Sequence, residues 1–294
     1  MKLTRRAALT GLAVLAAPSP AGARIYADTV NSVGESLDEI RAKGRLRVGV
    51  YADFAPFSAA IGTEMAGIDV DIARLLADRL GLRLELIAVQ AGETVDDDLR
   101  NHVWRGTVVG RSVVNLLLHV PYSRELETRS ELAVLVQPYF TEALMIARNP
   151  ASLGDQTEDG LEALAGRRIG VELDSLADSY LGSVLGGRLR GRLVHYRRPD
   201  EALEALIAGE IAAFMGLRSQ IEAGLGEARD RFDLGPMPLP GLRMTTWPVG
   251  AAVRENARDL GYAAGDILAA AVRDGTMRSL FAAHGIDYGP PPFA

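Results

Sequence analysis

Hydrophobic and polar positions along the chain repeat with two periods, one near two residues and one near 3.6. Residues 45–50 are rich in leucine and valine, and residues 69–80 place their apolar side chains on one face, as an amphipathic helix does. Residues 83–89 then alternate charged and apolar side chains, which is typical of a strand. This order predicts a βαβ unit with two parallel strands and a right-handed crossover.

The same pattern starts again in the second half of the chain. Strands are predicted at residues 167–173, 192–196 and 211–215, with one helix at 176–185 and another that begins at Pro199. The predicted fold class is therefore α/β, with two α/β halves.

Two extended segments that contain proline connect the halves. Residues 131–148 enclose Pro138, and residues 245–253 enclose Pro248. A chain that crosses twice in this way predicts two hinged lobes with a central cleft between them. The predicted boundaries are 24–140 together with 245–294 for lobe 1, and 141–244 for lobe 2.

The first 23 residues resemble an export signal with a twin-arginine start. Lys2, Arg5 and Arg6 precede an apolar run at residues 7–17, and Ala21-Gly22-Ala23 is typical of a cleavage site. A membrane anchor is the alternative, but the apolar run falls short of the roughly 20 residues that span a bilayer. We therefore expect cleavage near Ala23 and a mature protein in the periplasm.

Charge and cysteine usage narrow the classes of function. The chain has a formal net charge of −6, which removal of the three positive charges in the signal would take to −9. Such a balance disfavours nucleic acid or an anionic membrane surface as a partner. Cysteine is absent, which excludes disulfides, thiolate nucleophiles and cysteine metal sites. Lys43 would be the one lysine left for Schiff-base chemistry, and it falls in a predicted turn.

Residues 92–112 form an unusual acidic segment. Asp96, Asp97 and Asp98 precede a partly apolar stretch that contains Trp104, and this predicts a helix start that the helix dipole favours. A metal site is the alternative, but consecutive carboxylates point apart and lack the alternate-position oxygens and glycine turn of a calcium loop. We expect no metal and no cofactor.

Several motifs in a shared order resemble a known protein family. They are LRVGV, a Pro-Phe turn, GIDVD at a helix start, an arginine nine residues before Pro-Tyr, GRRIGVEL, EALEALIAGEIAA and a helical end split by glycine. Their order over residues 37–287 is similar to that of the family 3 extracellular solute-binding proteins of bacteria, which serve ABC importers. The resemblance implies the two-lobed periplasmic binding protein fold, with two hinge crossings and a central cleft.

The resemblance also implies roles for cleft residues. Arg129 matches the arginine that holds a substrate carboxylate, a task that suits the planar guanidinium fork; a surface arginine is the alternative. Phe54 matches an aromatic residue that packs on the substrate, and a structural role in the turn is the alternative. The complete set of predicted cleft residues is Tyr51, Phe54, Phe57, Arg129, Asp174, Ser175, Gly216 and Leu217.

Some polar groups that the resemblance implies are missing. Tyr51 replaces an acidic residue in the turn after the first strand, Arg124 replaces a hydroxyl, and Leu217 replaces the acid that binds an ammonium group. Asp174 and Ser175 replace a Gly-Thr pair. An α-amino acid would lose a charge-assisted hydrogen bond worth about 1.5–3 kcal/mol. The cleft is therefore predicted not to hold a standard α-amino acid.

The segments DDDLRNHVWRG, residues 96–106, and NLLLHVPY, residues 115–122, resemble one branch of this family, the J component of periplasmic methanol oxidation (MxaJ/XoxJ type). That resemblance implies a non-catalytic accessory or activating partner of a pyrroloquinoline-quinone methanol dehydrogenase. Aromatic anchors dominate interfaces, so the predicted contact surface is Val103, Trp104, Val108 and Val109. The alternative for Trp104 is a place in the core.

Two other functions compete with the dehydrogenase partner. One is a receptor that delivers a small polar solute to an ABC importer permease. The other is an enzyme on the same fold, as in the periplasmic cyclohexadienyl dehydratases. Catalysis is disfavoured because the chain lacks nucleophile and phosphate-binding motifs, and because its histidines lack the spacing of a zinc helix. These histidines are His102, His119, His195 and His284.

Overall fold

The computed structural model of the protein describes residues 34–108, 112–154 and 160–292. The predicted signal peptide and its cleavage site lie outside the described residues. Up to the first crossing, the elements are α1 (Leu37–Lys43), β1 (Arg45–Tyr51), β2 (Asp53–Phe54), β3 (Ser58–Ile61), β4 (Glu64–Ala66), α2 (Ile68–Leu80), β5 (Arg83–Val89), α3 (Val95–Asp98), β6 (Leu116–Pro121), α4 (Arg124–Arg129) and β7 (Ala133–Arg148).

After β7, the elements are α5 (Pro150–Leu153), β8 (Ile169–Glu172), α6 (Leu176–Ser183), β9 (Leu193–Tyr196), α7 (Pro199–Ile207), β10 (Ala213–Leu217), α8 (Arg218–Leu225), β11 (Thr246–Arg254), α9 (Arg258–Arg273) and α10 (Thr276–Ala283). A wide π-helical turn, Leu99–Trp104, extends α3.

The first βαβ unit forms as its pattern predicts. β1 pairs in parallel with β5, from Arg45 opposite Arg83 to Tyr51 opposite Val89. α2 buries its apolar face and ends at Gly81, whose left-handed backbone conformation is the common helix stop.

Between β1 and α2 the chain forms a small antiparallel sheet that its pattern does not indicate. The three strands β2, β3 and β4 pair in sequence order. Since β2 has only two residues, it is too short to show a period of two. This sheet fixes the segment that follows the carboxyl end of β1.

Eight strands form one mixed sheet in the order β5-β1-β6-β11-β7-β10-β8-β9. β7 pairs with β11 over its first part, up to Ala143, and with β10 over its last part, from Leu144 to Arg148. The two predicted crossings are thus confirmed, and they lie side by side as antiparallel strands.

Separate hydrophobic cores form on the two sides of these crossing strands. One contains Val48 and Ile72, and the other contains Val171 and Met215. We call the surrounding parts of the molecule lobe 1 and lobe 2. Trp247, on β11, packs partly against both cores. The exact lobe boundaries given above remain a prediction.

The C-terminal segment, residues 286–291, runs from lobe 1 onto lobe 2, and we call it the C-terminal strap. Thr141 in β7 donates its backbone N–H to the carbonyl of Gly289 at 2.9 Å. Arg229 of lobe 2 donates to the Asp287 carboxylate at 2.7 Å. The strap therefore ties the lobes together in addition to the two crossing strands.

Some element ends differ from the pattern. The sequence pattern predicts a helix from Arg218 to Asp230, but the helix ends at Leu225, since Gly226 leaves the helical conformation. The largely apolar residues 113–120 predict a strand, but the strand begins only at Leu116. The strand predicted at 211–215 is shifted by two residues and ends at Leu217.

Candidate functional site

A cavity of about 460 Å³ lies between the two lobes. This is within the range of about 300–1,000 Å³ that is usual for small-molecule sites. Lobe 1 contributes Asp53, Phe54, Ala55 and Pro56, and lobe 2 contributes Glu172, Arg197, Arg198, Pro199, Asp200, Leu203, Leu217, Gln220, Ala223 and Gly224. We call it the interlobe cavity.

The lobe 2 wall is built at the carboxyl ends of parallel strands. β8 pairs in parallel with both β9 and β10, so these three strands end at the same edge of the sheet. Glu172 is the last residue of β8, Arg197 follows β9, and Leu217 ends β10. Ligands of open α/β sheets commonly bind at such an edge.

The lobe 1 wall presents the half-buried ring of Phe54. This ring stacks on Phe57 with centroids 5.3 Å apart and meets His119 edge-on at 4.7 Å. Tyr51 contacts it from another side, with centroids 6.2 Å apart. The ring is therefore held by aromatic neighbours on lobe 1.

A buried polar network in lobe 1 holds His119, which contacts these rings, in place. Asp69, in the first turn of α2, accepts hydrogen bonds from the Tyr139 hydroxyl at 2.9 Å and from His119 Nδ1 at 3.1 Å. The backbone N–H of His119 donates to the Tyr139 hydroxyl at 3.0 Å. Burial, with the nearby Asp69 charge, raises the pKa of Tyr139 well above its ordinary value. Tyr139 therefore stays a neutral donor to Asp69.

Two carboxylates line the cavity from opposite lobes. Burial, and then the negative charge of Asp53, raises the pKa of Glu172 above its ordinary value. Among the described residues, neither carboxylate side chain makes a hydrogen bond or a close ion pair, although Asp200 and, after it, the charge of Asp53 raise the pKa of Arg198. Two carboxylates without a close ion pair thus line the same cavity from opposite lobes.

The arginines of the cavity differ in their partners. Arg198 donates to Asp200, with its Nε 2.9 Å from Oδ1, and this hydrogen bond lowers the pKa of Asp200. Arg197 is exposed and, within the part of the chain that the structure describes, makes no hydrogen bond or ion pair. One guanidinium is therefore already neutralised and one is not.

The predicted cleft residues fall into different places. Phe54 and Leu217 line the cavity. Tyr51 lies deeper in lobe 1, where its hydroxyl donates to Asp98 at 2.8 Å, and burial with this neighbouring carboxylate raises its pKa. Phe57 is completely buried among lobe 1 side chains, so its ring faces the core, in contrast to the prediction that it lines the cleft.

Arg129 does not reach the interlobe cavity. It lies at the end of α4, where Nε is 2.9 Å from an Asp96 carboxylate oxygen and Nη1 is 3.3 Å from Glu125. It lines a separate depression with Trp104 and Leu132. In this structure its guanidinium is engaged by lobe 1 acids, which is the surface alternative and not the carboxylate clamp that the resemblance implies.

The remaining predicted cleft residues lie beside the cavity and do not form its wall. Ser175 accepts a hydrogen bond from the Asp178 N–H at 3.1 Å and so caps α6. Asp174 is exposed and has a left-handed backbone, and Gly216 precedes Leu217 in β10.

The predicted partner surface is only partly exposed. Val103 is buried in a lobe 1 cluster, because the π-helical turn directs it inward, so it cannot serve as a contact residue. Trp104 packs partly against the same cluster. Val108 is 99% exposed. Val109 lies outside the described residues.

The sequence reasoning missed Asp53, Glu172 and Arg197 as site residues. Two of them lie in motifs of the sequence, because Asp53 belongs to the Pro-Phe turn and Glu172 to GRRIGVEL. The rule that ligands bind at the carboxyl ends of parallel strands would have pointed to Glu172 and Arg197.

The described ranges contain neither a cluster of metal-ligating side chains nor a membrane-spanning helix. There, no group of three or more histidine, cysteine or carboxylate side chains is placed to hold a metal ion. Nor does any helix in those ranges combine the length and apolarity needed to cross a bilayer.

The chain has the fold of the type II periplasmic binding proteins. Residues 46–103, from β1 into the π-helical turn, match the family described as bacterial extracellular solute-binding proteins, family 3. The resemblance that the motifs indicate is thereby confirmed for this stretch of the chain. No curated protein matches the chain in sequence.

Solved structures share the fold over most of the chain. The ancestral cationic amino acid solute-binding protein AncCDT-1 is 21% identical, with a TM-score of 0.65 and coverage of 85% of this chain and 99% of that chain. Another AncCDT-1 structure, described as a precursor of cyclohexadienyl dehydratase, is 20% identical, with a TM-score of 0.57 and coverage of 85% and 99%.

An amino acid ABC transporter substrate-binding protein from Streptococcus pneumoniae, bound to L-arginine, is 21% identical, with a TM-score of 0.60 and coverage of 85% of this chain and 98% of that chain. At this level of identity the similarities show the fold. They confirm the predicted α/β, two-lobed periplasmic binding protein architecture.

Replacing Glu172 by glutamine is expected to stabilise the unliganded protein at neutral pH. A carboxyl group whose pKa is raised by folding contributes stability below its ordinary pKa, near 4.5, and loses it as the pH rises through the higher folded value. Glu172→Gln should therefore melt about 2 °C above the parent at pH 7, a small gain because the group is half exposed.

The gain should shrink to nothing below about pH 4, where the parent carboxyl group is protonated too. Thermal unfolding across this pH range measures the difference, and Glu201→Gln, an exposed substitution on α7, is the control. An equal or lower melting temperature for Glu172→Gln at pH 7 would contradict the claim that the ionised Glu172 side chain destabilises the folded protein.

Proposed function

We propose that the protein is a non-catalytic, exported binding component that takes a small polar solute into the interlobe cavity. The observation that carries this proposal is the cavity itself, whose walls come from both lobes and combine charged groups, apolar side chains and the ring of Phe54. Such a mixture is usual in small-molecule sites. An ABC importer permease is the proposed partner, and the periplasm the proposed location.

The neighbouring structures support this kind of function. The Streptococcus pneumoniae protein is an ABC transporter substrate-binding protein with L-arginine bound. The cavity described here differs in its charges from a site for a standard α-amino acid, because Arg129 is held elsewhere by Asp96 and Glu125. We therefore propose a solute that is not held through an α-carboxylate by Arg129.

A second candidate function is an accessory role beside a pyrroloquinoline-quinone methanol dehydrogenase. The observation that favours it is the fully exposed Val108, which adjoins the partly buried Trp104 segment on lobe 1. Arg105, Thr107 and Val108 also line a depression of about 350 Å³ that involves only this segment. An apolar side chain at such a site suits a protein contact.

Solute binding is tested by the melting temperature in the presence of a broad set of polar metabolites. A solute at about 100 times its Kd stabilises the native state by about 2.7 kcal/mol, which corresponds to a rise of about 5 °C or more. Phe54→Ala removes the aromatic wall and should abolish most of this rise. Tyr262→Ala, at a residue that is 70% exposed on α9, should keep it. A set in which no compound shifts the parent protein would contradict solute binding.

The accessory role is tested by sedimentation of the purified protein with a methanol dehydrogenase at micromolar concentration. Val108→Glu should weaken the association about tenfold or more, since it places a charge in an apolar contact. Met244→Glu, at another exposed apolar position, should leave it unchanged. Absence of a complex with the parent protein, with and without the enzyme's metal, would count against this role.

A further inference from the structure

We propose, on the basis of the solute-binding function proposed above, that the interlobe cavity selects a small organic cation of the primary amine class. The solute is held between Asp53 of lobe 1 and Glu172 of lobe 2, and it needs no carboxylate of its own. Its positive charge is what allows the two lobes to close over it.

The first support is the position of the two carboxylates. Asp53 follows β1 in lobe 1, Glu172 ends β8 in lobe 2, and both line the interlobe cavity. In the described part of the chain neither side chain has a hydrogen-bond or ion-pair partner. Glu172 is half-buried and Asp53 is exposed, so the desolvation cost of an unpaired charge falls mainly on Glu172. An ammonium group between the two carboxylates would neutralise both and donate hydrogen bonds to them.

The second support is the balance of the other charges. Arg198 is neutralised by Asp200, at a distance of 2.9 Å between Nε and Oδ1. Arg197 is exposed and is the remaining positive group of the wall. The three carboxylates and two guanidinium groups leave the cavity one negative charge in excess, and a cation removes this excess.

The third support is the ring of Phe54, which is the residue next to Asp53. Its position is fixed by stacking on Phe57 and by edge contact with His119, and it remains half-buried at the cavity wall. A cation near an aromatic face gains attraction from the ring quadrupole. Ala55, Pro56 and Leu203 supply apolar surface for a short hydrocarbon body.

A series of four-carbon probes tests the charge of the solute. Putrescine and n-butylamine are cations, 4-aminobutyrate is a zwitterion and succinate is a dianion, so body length stays nearly constant while charge changes. Isothermal titration at neutral pH should show binding of the amines, with 4-aminobutyrate at least about tenfold weaker and succinate without detectable binding.

Variants expected to weaken amine binding, and one expected to strengthen it, distinguish a cationic solute from an anionic or a zwitterionic one. Glu172→Gln and Asp53→Asn, one on each lobe, should each weaken amine binding about tenfold, since each removes a charge-assisted hydrogen bond. Arg197→Gln should strengthen it about threefold, because it removes a like charge at an exposed position. Glu201→Gln, outside the cavity, should leave it unchanged.

Three results would overturn the proposal that the solute is a cation. They are tighter binding of 4-aminobutyrate with weakening by both Glu172→Gln and Arg197→Gln, preferential binding of succinate, and failure of the four probes to bind. In the first two cases solute binding stands and only its charge class is wrong. In the third case the melting-temperature experiment with polar metabolites distinguishes the two proposals. If a metabolite raises the melting temperature, solute binding stands and only the cation is wrong; if none does, both proposals are contradicted.

Discussion

β7 belongs to both lobes, and the position of the cavity depends on the hydrogen bonds that this strand makes. It pairs with β11 on the lobe 1 side and with β10 on the lobe 2 side. At the boundary, the completely buried Glu142 accepts hydrogen bonds from the Ser219 hydroxyl and from the Ala143 N–H at 2.8 Å. The C-terminal strap adds further bonds at Thr141. The lobes therefore meet at a restrained hinge, with Asp53 and Glu172 on opposite walls of one cavity.

In the binding mode proposed above, the two facing carboxylates select for a positively charged solute. Burial and the nearby charge of Asp53 raise the pKa of Glu172, and a closure that removed more water and brought Asp53 nearer would oppose ionisation further. A positively charged solute would offset the repulsion between the two carboxylates. It would do so more in a closed form, where it touches both walls, than in an open form, where it touches one. Such differential binding is what lets a ligand shift a hinge equilibrium. Arg129 takes no part in it, because lobe 1 acids hold its guanidinium.

Much of the fold could be predicted from local pattern, whereas the site depended on contacts between distant segments. The βαβ units and the two crossings follow from side-chain period and from Pro138 and Pro248, which a single sequence displays. Arg129 could not be placed this way, because its partner Asp96 lies 33 residues earlier. Phe57 is buried by Phe140 and Phe281, which come from β7 and α10. The two-residue strand that orients Asp53 is too short to carry any pattern.

The most direct test measures the separation of the lobes when the opposing charge is removed. Since the chain has no cysteine, Ile61→Cys on lobe 1 and Leu176→Cys on lobe 2, which are 70% and 51% exposed, allow a single pair of spin labels. In pulsed electron resonance at neutral pH without solute, adding Glu172→Gln should shorten and narrow the distance distribution, whereas adding Glu201→Gln should not. An unchanged distribution with Glu172→Gln would contradict the claim that facing carboxylates oppose closure of the lobes.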